Sequence, residues 1–512
     1  MTFAHVDYFE IFIFRKLRAD FMMKRILLVG FVTGFVISLS AQNDPVNDVA
    51  NTVLIQDVEA HLTFLAADEM RGRNTGSPEI DIAANYIASF FKQQGLKTLP
   101  GADRYFQSME LQSMKAPKDI EFVVNGQLFK MKDDVALMGG DSVSIAGEIV
   151  FAGYGSRDEM MKAKVKDKIV VTYTGNAGEN NLAKAFLHDA VVKTELAHEL
   201  GAKALVEIQA LPGIPWLGVA EHLSKERISL KKGFALPHLW MKNSDNAAIT
   251  ALKKTQRASG SLKVRGTNRK EIRAKNVIAM VEGTDAKLKN EFVVISAHYD
   301  HVGVNPNSKP DSIFNGARDN AIGTVAMMEA AKFLSKFPPK RSVLFMALTA
   351  EEVGMLGSLW YVAHPLVPLN QTVFNFNCDG AGYNDTTMAT IIGLERTSFQ
   401  ENLTKACSKF GLKAATDPMP EQNLYERSDN YSFAAKGIPA IDFSPGTKAF
   451  DEQLMKYYHQ PADEVSTLDF NYLIKFFRSF VYANHLLCNQ PQKPVWTAGD
   501  KFELESKKLY GK

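Results

Sequence analysis

Six side chains that can bind metal ions lie close behind apolar segments of this 512-residue chain. Imidazole nitrogen and carboxylate oxygen are donors that Zn²⁺ prefers, and one carboxylate can bridge two zinc ions about 3.5–4 Å apart. The set therefore predicts a two-zinc hydrolase site, where water is activated for attack on a carbonyl group. Its members are two histidines and four acidic residues: His298, Asp319, Glu351, Glu352, Asp379 and His459.

The predicted ligands divide evenly between two metal positions. Asp319 is the predicted bridge, because it lies between the other ligands in the sequence and begins a predicted helix. Each metal ion then needs one histidine and one further carboxylate. The symmetric arrangement pairs His298 with Asp379 on one zinc ion and His459 with Glu352 on the other.

Glu351 is left without a metal ion and is predicted to be the general base, which takes a proton from the attacking water and passes it to the leaving amine. Asp300, two residues after His298, is predicted to accept the other ring N–H of that histidine and so to fix its tautomer. His301 is expected to be structural. The same expectation holds for the remaining candidates, His61, His188, His198, His222, His238, His364 and His485.

Strands and helices alternate from Asn276 onward. Continuous apolar runs predict strands, and apolar residues spaced three and four apart predict helices. The predicted strands are 277–281, 292–296, 342–348, 373–376 and 438–443, and the predicted helices are about 321–334 and a closing one that begins near Phe470. This order predicts an α/β fold: a three-layer sandwich around a mixed, largely parallel sheet, with the ligands at the carboxyl ends of its strands.

The remaining segments complete the predicted organisation. Residues 42–117 predict two amphipathic helices, at 53–65 and 80–91, as the N-terminal part of the catalytic domain. Residues 118–265 change to short apolar runs broken by glycines and contain no candidate ligand, which predicts a separate, smaller β-rich domain. We expect the catalytic core at 266–490 and a C-terminal tail at 491–512.

The N-terminus predicts export. Lys24 and Arg25 precede an apolar stretch at 26–39, which ends on small residues at 38–41. This order is typical of a signal peptide, so residues 1–41 are its predicted extent, with Met22 or Met23 as alternative start sites. The apolar stretch is shorter than the roughly 20 residues of a membrane span. We therefore expect a secreted or periplasmic protein without a stable membrane anchor.

Composition argues against other classes of function. The 59 basic and 57 acidic residues nearly balance and form no long single-sign block, so no nucleic-acid partner is expected. An apolar content of 46% is typical of a globular protein with a large core. Cys378, Cys407 and Cys488 are too few for a disulfide framework, although one bridge stays open. Cys378 is expected to pack rather than bind metal.

Seven motifs together resemble a known family. They are Leu65–Gly76, Ala297–Gly303, Asn315–Gly323, Thr349–Gly354, Asn377–Gly380, Ser428–Asp429 and Tyr458–His459. This combination resembles the secreted dizinc aminopeptidases of the aminopeptidase Y and aminopeptidase S type, whose wider relatives include glutamate carboxypeptidase II. The resemblance covers nearly the whole mature chain. It implies a zinc exopeptidase-like fold, the same ligands and base, two zinc ions per chain and release of N-terminal residues from peptide substrates.

The same resemblance extends to the middle segment and leaves alternatives open. Residues 118–265 are similar to the protease-associated domain of these enzymes, which implies that they wall or cap the substrate cleft. Asn430 stands where family members often carry a histidine, and Tyr425 could donate to the oxyanion or simply pack. A carboxypeptidase- or dipeptidase-like relative would need Arg318 or Arg427 for a substrate carboxylate. The complete ligand set argues against a one-zinc glutaminyl cyclase and against a non-catalytic receptor-like relative.

Overall fold

The computed structural model describes residues 44–178, 185, 189–231 and 236–511. The predicted signal peptide lies outside these residues. Within them, none of the helices combines the length and the apolar character needed to cross a membrane. Helix α1 (Pro45–Thr52) belongs to a first unit, and the described residues from Val53 onward form a second compact unit.

The elements are numbered in chain order. The strands are β1 (Phe106–Lys115), β2 (Asp119–Val124), β3 (Gln127–Lys130), β4 (Val135–Gly139), β5 (Val143–Phe151), β6 (Ile169–Tyr173), β7 (Ala204–Ile208), β8 (Arg227–Leu230), β9 (His238–Met241), β10 (Arg257–Arg265), β11 (Asn268–Val281), β12 (Phe292–His298), β13 (Gly303–Val304), β14 (Ile313–Phe314), β15 (Ser342–Leu348), β16 (Thr372–Asn377), β17 (Met388–Ile392), β18 (Lys413–Ala415) and β19 (Ala440–Pro445). After α1, the helices are α2 (Ile55–Leu65), α3 (Pro78–Gln93), α4 (Arg157–Ala163), α5 (Ala190–Glu199), α6 (Trp216–Leu223), α7 (Ala247–Thr255), α8 (Ile322–Lys336), α9 (Leu356–Ala363), α10 (Gln400–Lys409), α11 (Asn430–Ala434), α12 (Glu452–Met455), α13 (Phe470–Asn489) and α14 (Glu503–Tyr510).

A nine-stranded sheet carries the predicted catalytic core, in the order β18–β17–β19–β16–β12–β15–β11–β1–β8. Its centre, from β19 to β15, is parallel. Strands β11, β1 and β8 continue it antiparallel on one side, and β17 pairs antiparallel with β19 on the other. The prediction of a mixed sheet is therefore confirmed, but the sheet is not largely parallel: outside the centre, only β17 and β18 also pair in parallel.

Both faces of this sheet are covered by helices, because the central strands are apolar on both sides. In β15, Leu344 and Met346 pack in one cluster with Tyr361 of α9. Phe345 points to the opposite face, where its ring centroid lies 6.4 Å from that of Phe91 in α3. Burial of each such side chain contributes roughly 1.5–3 kcal/mol. The sheet is thus the middle layer of three.

Helix boundaries follow the local sequence. Helix α3 begins where the Ser77 hydroxyl accepts the Ile80 N–H at 3.3 Å, and Pro78 occupies its first turn. Helix α13 begins where the Asp469 carboxylate accepts the N–H groups of Asn471 and Tyr472. These caps explain why the predicted helical spacing starts at those points.

A second, eight-stranded sheet has the order β3–β2–β10–β5–β6–β7–β9–β4, and all its strands lie between Asp119 and Arg265. Strand β8 comes from the same stretch of chain but joins the nine-stranded sheet, where Leu230 pairs with Leu111 of β1. The predicted β-rich character of residues 118–265 agrees with this sheet. Its status as a separate domain stays a prediction.

Candidate metal centre

Three neighbouring strands bring most of the predicted ligands to one edge of the nine-stranded sheet. His298 is the last residue of β12, Asp379 follows the end of β16, and Glu351 and Glu352 follow the end of β15. Strands β15, β12 and β16 are adjacent and parallel. Because parallel strands end at the same edge, residues distant in the sequence meet there.

The carboxylate of Asp319 divides between two groups of ligand atoms. Its Oδ1 lies 3.4 Å from His298 Nε2, which is also 3.1 Å from Asp379 Oδ1. Its Oδ2 lies 3.1 Å from His459 Nε2, which is also 3.1 Å from Glu352 Oε2. Asp319 therefore stands where the bridge of a two-metal site was predicted, with the two predicted ligand pairs on either side.

The other two predicted ligands, Asp319 and His459, lie in irregular segments and not at strand ends. Asp319 lies in the turn Ala317–Ala321 before α8, and its peptide bond to Asn320 is cis. His459 lies in the loop after α12, with a φ of 52° and a side chain that is 36% exposed. The Asp463 carboxylate links both segments, since it accepts the backbone N–H of Asp319 at 3.2 Å.

The surroundings shift the pKa values of the two ligand histidines upward. Burial disfavours charge on His298, but the carboxylates of Asp379 and Glu351 raise its pKa well above the ordinary value. Burial likewise opposes charge on His459, while hydrogen bonds to Asp319 and Glu352 raise its pKa to about 10. A cluster this rich in carboxylates favours positive charge, whether protons or metal cations.

Glu351 faces the same centre, since its Oε2 lies 4.0 Å from His298 Nε2 and its side chain is 11% exposed. Burial and the neighbouring carboxylates of Asp379 and Glu352 raise the pKa of Glu351 well above its usual range, against the opposing effect of His298. A carboxylate held in this way accepts a proton readily, as a general base must.

The structure corrects the predicted role of Asp300. The ring Nδ1 of His298 lies 3.1 Å from the backbone oxygen of Asp300 but 3.8 Å from its carboxylate. That carboxylate instead accepts the backbone N–H groups of Glu351 at 3.1 Å and Glu352 at 3.3 Å, and the Thr75 hydroxyl at 3.1 Å. Asp300 therefore shapes the turn that carries the predicted base, because N–H donors outcompete the imidazole for its oxygens.

His301 was expected to be structural, and the structure places it beside the ligands. It forms one group with Asp319, Glu352 and His459 that could hold a metal ion. Its Nδ1 lies 2.9 Å from Glu352 Oε1, and the residue is fully buried. The position of His301 directly after His298-Tyr299-Asp300 was the available sequence signal. Other histidines of the described residues do not join these groups, and His188 lies outside the described residues.

Arg73 ties the N-terminal segment to both ligand-bearing loops. Its buried guanidinium donates to the backbone oxygens of Leu65, Tyr299, Asn315 and Gly316. Burial lowers its pKa to about 10, and nearby carboxylates oppose that shift. Arg73 therefore stays protonated at physiological pH, and its positive charge balances part of the negative charge of the centre.

A cavity of about 110 Å³ opens onto the ligands, and His298, Asp319, Glu351, Glu352, Asp379 and His459 all line it. Asp442 and Ser444 of β19 line it too, although neither was predicted from the sequence. Burial and the charge of Asp379 raise the pKa of Asp442 well above its usual range. Its oxygens accept hydrogen bonds from Asn377 at 3.1 Å and Ser444 at 2.7 Å.

Two other candidates from the sequence do not face the cavity. Tyr425 packs, because its hydroxyl donates to the backbone oxygen of Ala440 at 2.9 Å. Arg318 is buried against Asp463, with its guanidinium 3.1 Å from that carboxylate. Arg427 does line the cavity and is exposed. Cys378, Cys407 and Cys488 are buried free thiols, so the one disulfide bridge that the sequence allowed is not formed.

Comparison with known proteins finds similarity to peptidases. Residues 276–483 match the model of peptidase family M28. The chain is 26% identical to aminopeptidase YwaD of Bacillus subtilis over 279 residues, 53% of this chain and 54% of that protein. It is 26% identical to probable leucine aminopeptidase 2 of Aspergillus fumigatus over 264 residues, 45% of this chain and 48% of that protein. The chain thus spans about half the length of these curated relatives.

A solved structure supports the same architecture. The aminopeptidase from Aneurinibacillus sp. strain AM-1 matches with a TM-score of 0.54 and 22% sequence identity, covering 89% of this chain and 98% of that chain. At this identity the likeness speaks for the fold alone. The family match, by contrast, covers the whole stretch from β11 into α13 that carries the ligand groups. Residues 276–483 of this chain are therefore similar to peptidase family M28.

Proposed function

We propose that this protein is a zinc-dependent metallopeptidase, an aminopeptidase that releases N-terminal residues from peptides with two zinc ions per chain. The observation that carries the proposal is the division of the Asp319 carboxylate between two groups, each with one histidine and one further carboxylate. The relatives named above, an aminopeptidase and a probable leucine aminopeptidase, support the proposed activity.

The donor set fits zinc. Tetrahedral zinc with bonds of 2.0–2.1 Å separates its ligand atoms by about 3.3 Å. The paired ligand atoms here lie 3.1 to 3.4 Å apart. Histidine nitrogen with carboxylate oxygen is a donor set typical of catalytic zinc. When bound, zinc ions lower the pKa of water and polarise a substrate carbonyl.

The chain supplies the proton transfer and the orientation. Glu351 takes the proton of the attacking water and delivers it to the leaving amine, because its carboxylate faces the centre and is not needed in either ligand pair. Asp300 holds the turn that aims Glu351. We propose Tyr458, which lines the cavity beside His459, as the hydroxyl donor to the developing oxyanion, in place of Tyr425.

Charge in the cavity favours a free amino terminus over a free carboxylate. A carboxypeptidase would need a cation for the substrate carboxylate, but Arg318 is committed to Asp463. Arg427 is the remaining arginine named by the sequence, and it stands at the exposed side. Acidic side chains outnumber arginines among the residues that line the cavity, and a substrate ammonium group carries the complementary charge.

Two further assignments belong to the same proposal. We infer that the protein is exported, since residues 1–41 have the pattern of a signal peptide. We also infer that residues 118–265 form a protease-associated domain, which the eight-stranded sheet within 119–265 supports. Among the described residues, those lining the cavity lie between His298 and His459, so they include none from that segment. A capping role would therefore act on substrate beyond this cavity.

The test is turnover of matched amides by the full chain, with zinc content measured on the same sample. One set carries a free α-amino group, a second set carries the same residues with a blocked amino group, and a third offers a free carboxyl terminus. We expect cleavage of the first set alone, with about two zinc ions per chain. Zinc binding with cleavage only at carboxyl termini would replace the proposal by a carboxypeptidase. A chain that binds no zinc would refute it.

A further inference from the structure

We propose that His301 is a positioning residue of the metal centre: it holds one oxygen of Glu352 so that the other faces the metal ion on the His459 side. The inference rests on the proposed function, because it concerns how the chain binds one of two zinc ions. It adds a third histidine to the centre, with a role that differs from ligation.

The two oxygens of Glu352 have different partners. Oε1 lies 2.9 Å from His301 Nδ1, and Oε2 lies 3.1 Å from His459 Nε2. The Asp319 carboxylate is 4.0 Å from His301 Nδ1, too far for a hydrogen bond. His301 is thus committed to one oxygen of one ligand, which leaves the second oxygen free to bind a metal ion.

The chemistry of the contact assigns the proton. A ligating carboxylate only accepts hydrogen bonds, so the Nδ1 of His301 must carry the hydrogen and donate it. Within the described residues, Nε2 of the same ring is buried and has no hydrogen-bond partner. His301 therefore orients Glu352 through the hydrogen on Nδ1.

The backbone and packing around His301 hold the ring in place. Its backbone N–H donates to the Arg73 oxygen at 3.3 Å. The ring lies against Gly316, where a Cβ atom would come within 2.6 Å of two ring carbons. Gly316 also has a φ of 63°, which favours glycine. The ring therefore cannot swing away from Glu352 toward that side.

A carboxylate held by its outer oxygen binds a metal ion through the inner one. This arrangement would remove conformational freedom of the Glu352 side chain before a metal ion binds. Loss of such a supporting hydrogen bond typically costs about 10–100-fold in metal affinity.

The test compares three substitutions in the full chain loaded with zinc. In His301→Asn the amide nitrogen stands at the same number of bonds from Cα as Nδ1, so the donor is kept. In His301→Gln the amide lies one bond further, and in His301→Ala it is gone. His61→Ala is the matched control. His61 Nδ1 lies 2.7 Å from the Tyr86 hydroxyl, and His61 is not part of the metal centre. Each variant is dialysed against rising chelator concentrations, and zinc per chain and the Tm of the zinc-free chain are recorded.

We expect one of the two zinc ions to be lost at about 10–100-fold lower chelator strength in His301→Ala and His301→Gln, and the other to be kept. His301→Asn and the His61→Ala control should follow the wild type. Equal zinc retention in all variants would overturn the inference. So would a His301→Asn variant that loses zinc as His301→Ala does, because the ring itself would then be a ligand. If the wild type binds no zinc, the proposed function fails instead.

Discussion

Replacing Asp300 by asparagine separates the observed role of this residue from the one predicted from the sequence. An amide has one oxygen, whereas three donors converge on the carboxylate. The amide oxygen is expected at the Oδ2 position, where it serves Thr75 and the N–H of Glu352. The amide NH₂ then faces the N–H of Glu351, which loses its acceptor.

The magnitude follows from that orphaned donor. Leaving a buried N–H unsatisfied costs about 1–3 kcal/mol. If the turn relaxes to relieve it, Glu351 moves, and kcat/KM for a free-amine amide should fall about 5- to 150-fold. Thr75→Val is the matched control, because it removes one donor and keeps both backbone contacts. We expect it to change kcat/KM by less than about threefold.

Although Asp300→Asn should lower activity, it should stabilise the zinc-free chain relative to the wild type as pH rises. Burial and the charge of Glu352 raise the pKa of Asp300 to about 6, despite the opposing effect of His298. Because the folded-state pKa lies above the unfolded one, the wild-type carboxyl group stabilises the fold less as pH rises from 4 to 7. The Asp300→Asn variant lacks this loss. Its unfolding free energy should therefore gain roughly 2–3 kcal/mol relative to the wild type over that range.

The assays are steady-state turnover with zinc content, and denaturant unfolding in chelator at pH 4 and pH 7. Zinc content should stay near the wild-type value, because the backbone oxygen of Asp300 contacts the His298 ring. Loss of zinc in Asp300→Asn would restore the role predicted from the sequence. Turnover within twofold of the wild type, with no pH-dependent difference in stability, would refute the reasoning from the structure.

Three further predictions concern the base, the ligand histidine and the buried arginine. Glu351→Gln should keep two zinc ions and lose about 10²–10⁴-fold in kcat, whereas Glu352→Gln should lose zinc. Near-normal turnover of Glu351→Gln would show that the base is misassigned. Zinc binding near pH 7 should release protons and strengthen as pH rises, because the pKa of His459 is raised to about 10. Proton release can be measured by calorimetry in buffers of different ionisation enthalpy. Finding none would contradict this prediction. Arg73→Met should lower the unfolding free energy by about 3 kcal/mol or more, and the exposed Arg71→Met by less than about 1; equal denaturation midpoints for both would disprove the role of the buried guanidinium.

Much of the fold and the ligand set could be predicted because both depend on local pattern. Apolar runs at 292–296 and 342–348 agree with β12 and β15, and each is followed by a potential ligand. Parallel strands end at one edge, so residues behind such runs meet there whatever their separation in the sequence. The antiparallel flanks could not be predicted in this way, because β1 and β8 come from segments far from the strands they extend.

The direction of each side chain at the centre was decided only by tertiary contacts. Asp300 and His301 lie in a loop without regular spacing, so the sequence alone placed the Asp300 carboxylate on its nearest histidine and dismissed His301. The structure aims them at the Glu351–Glu352 turn, because Thr75 and Arg73 approach from more than two hundred residues away. Amino-acid types that follow apolar runs thus predicted which segments carry potential metal ligands. Long-range hydrogen bonds, which no local pattern encodes, determined how those elements are held.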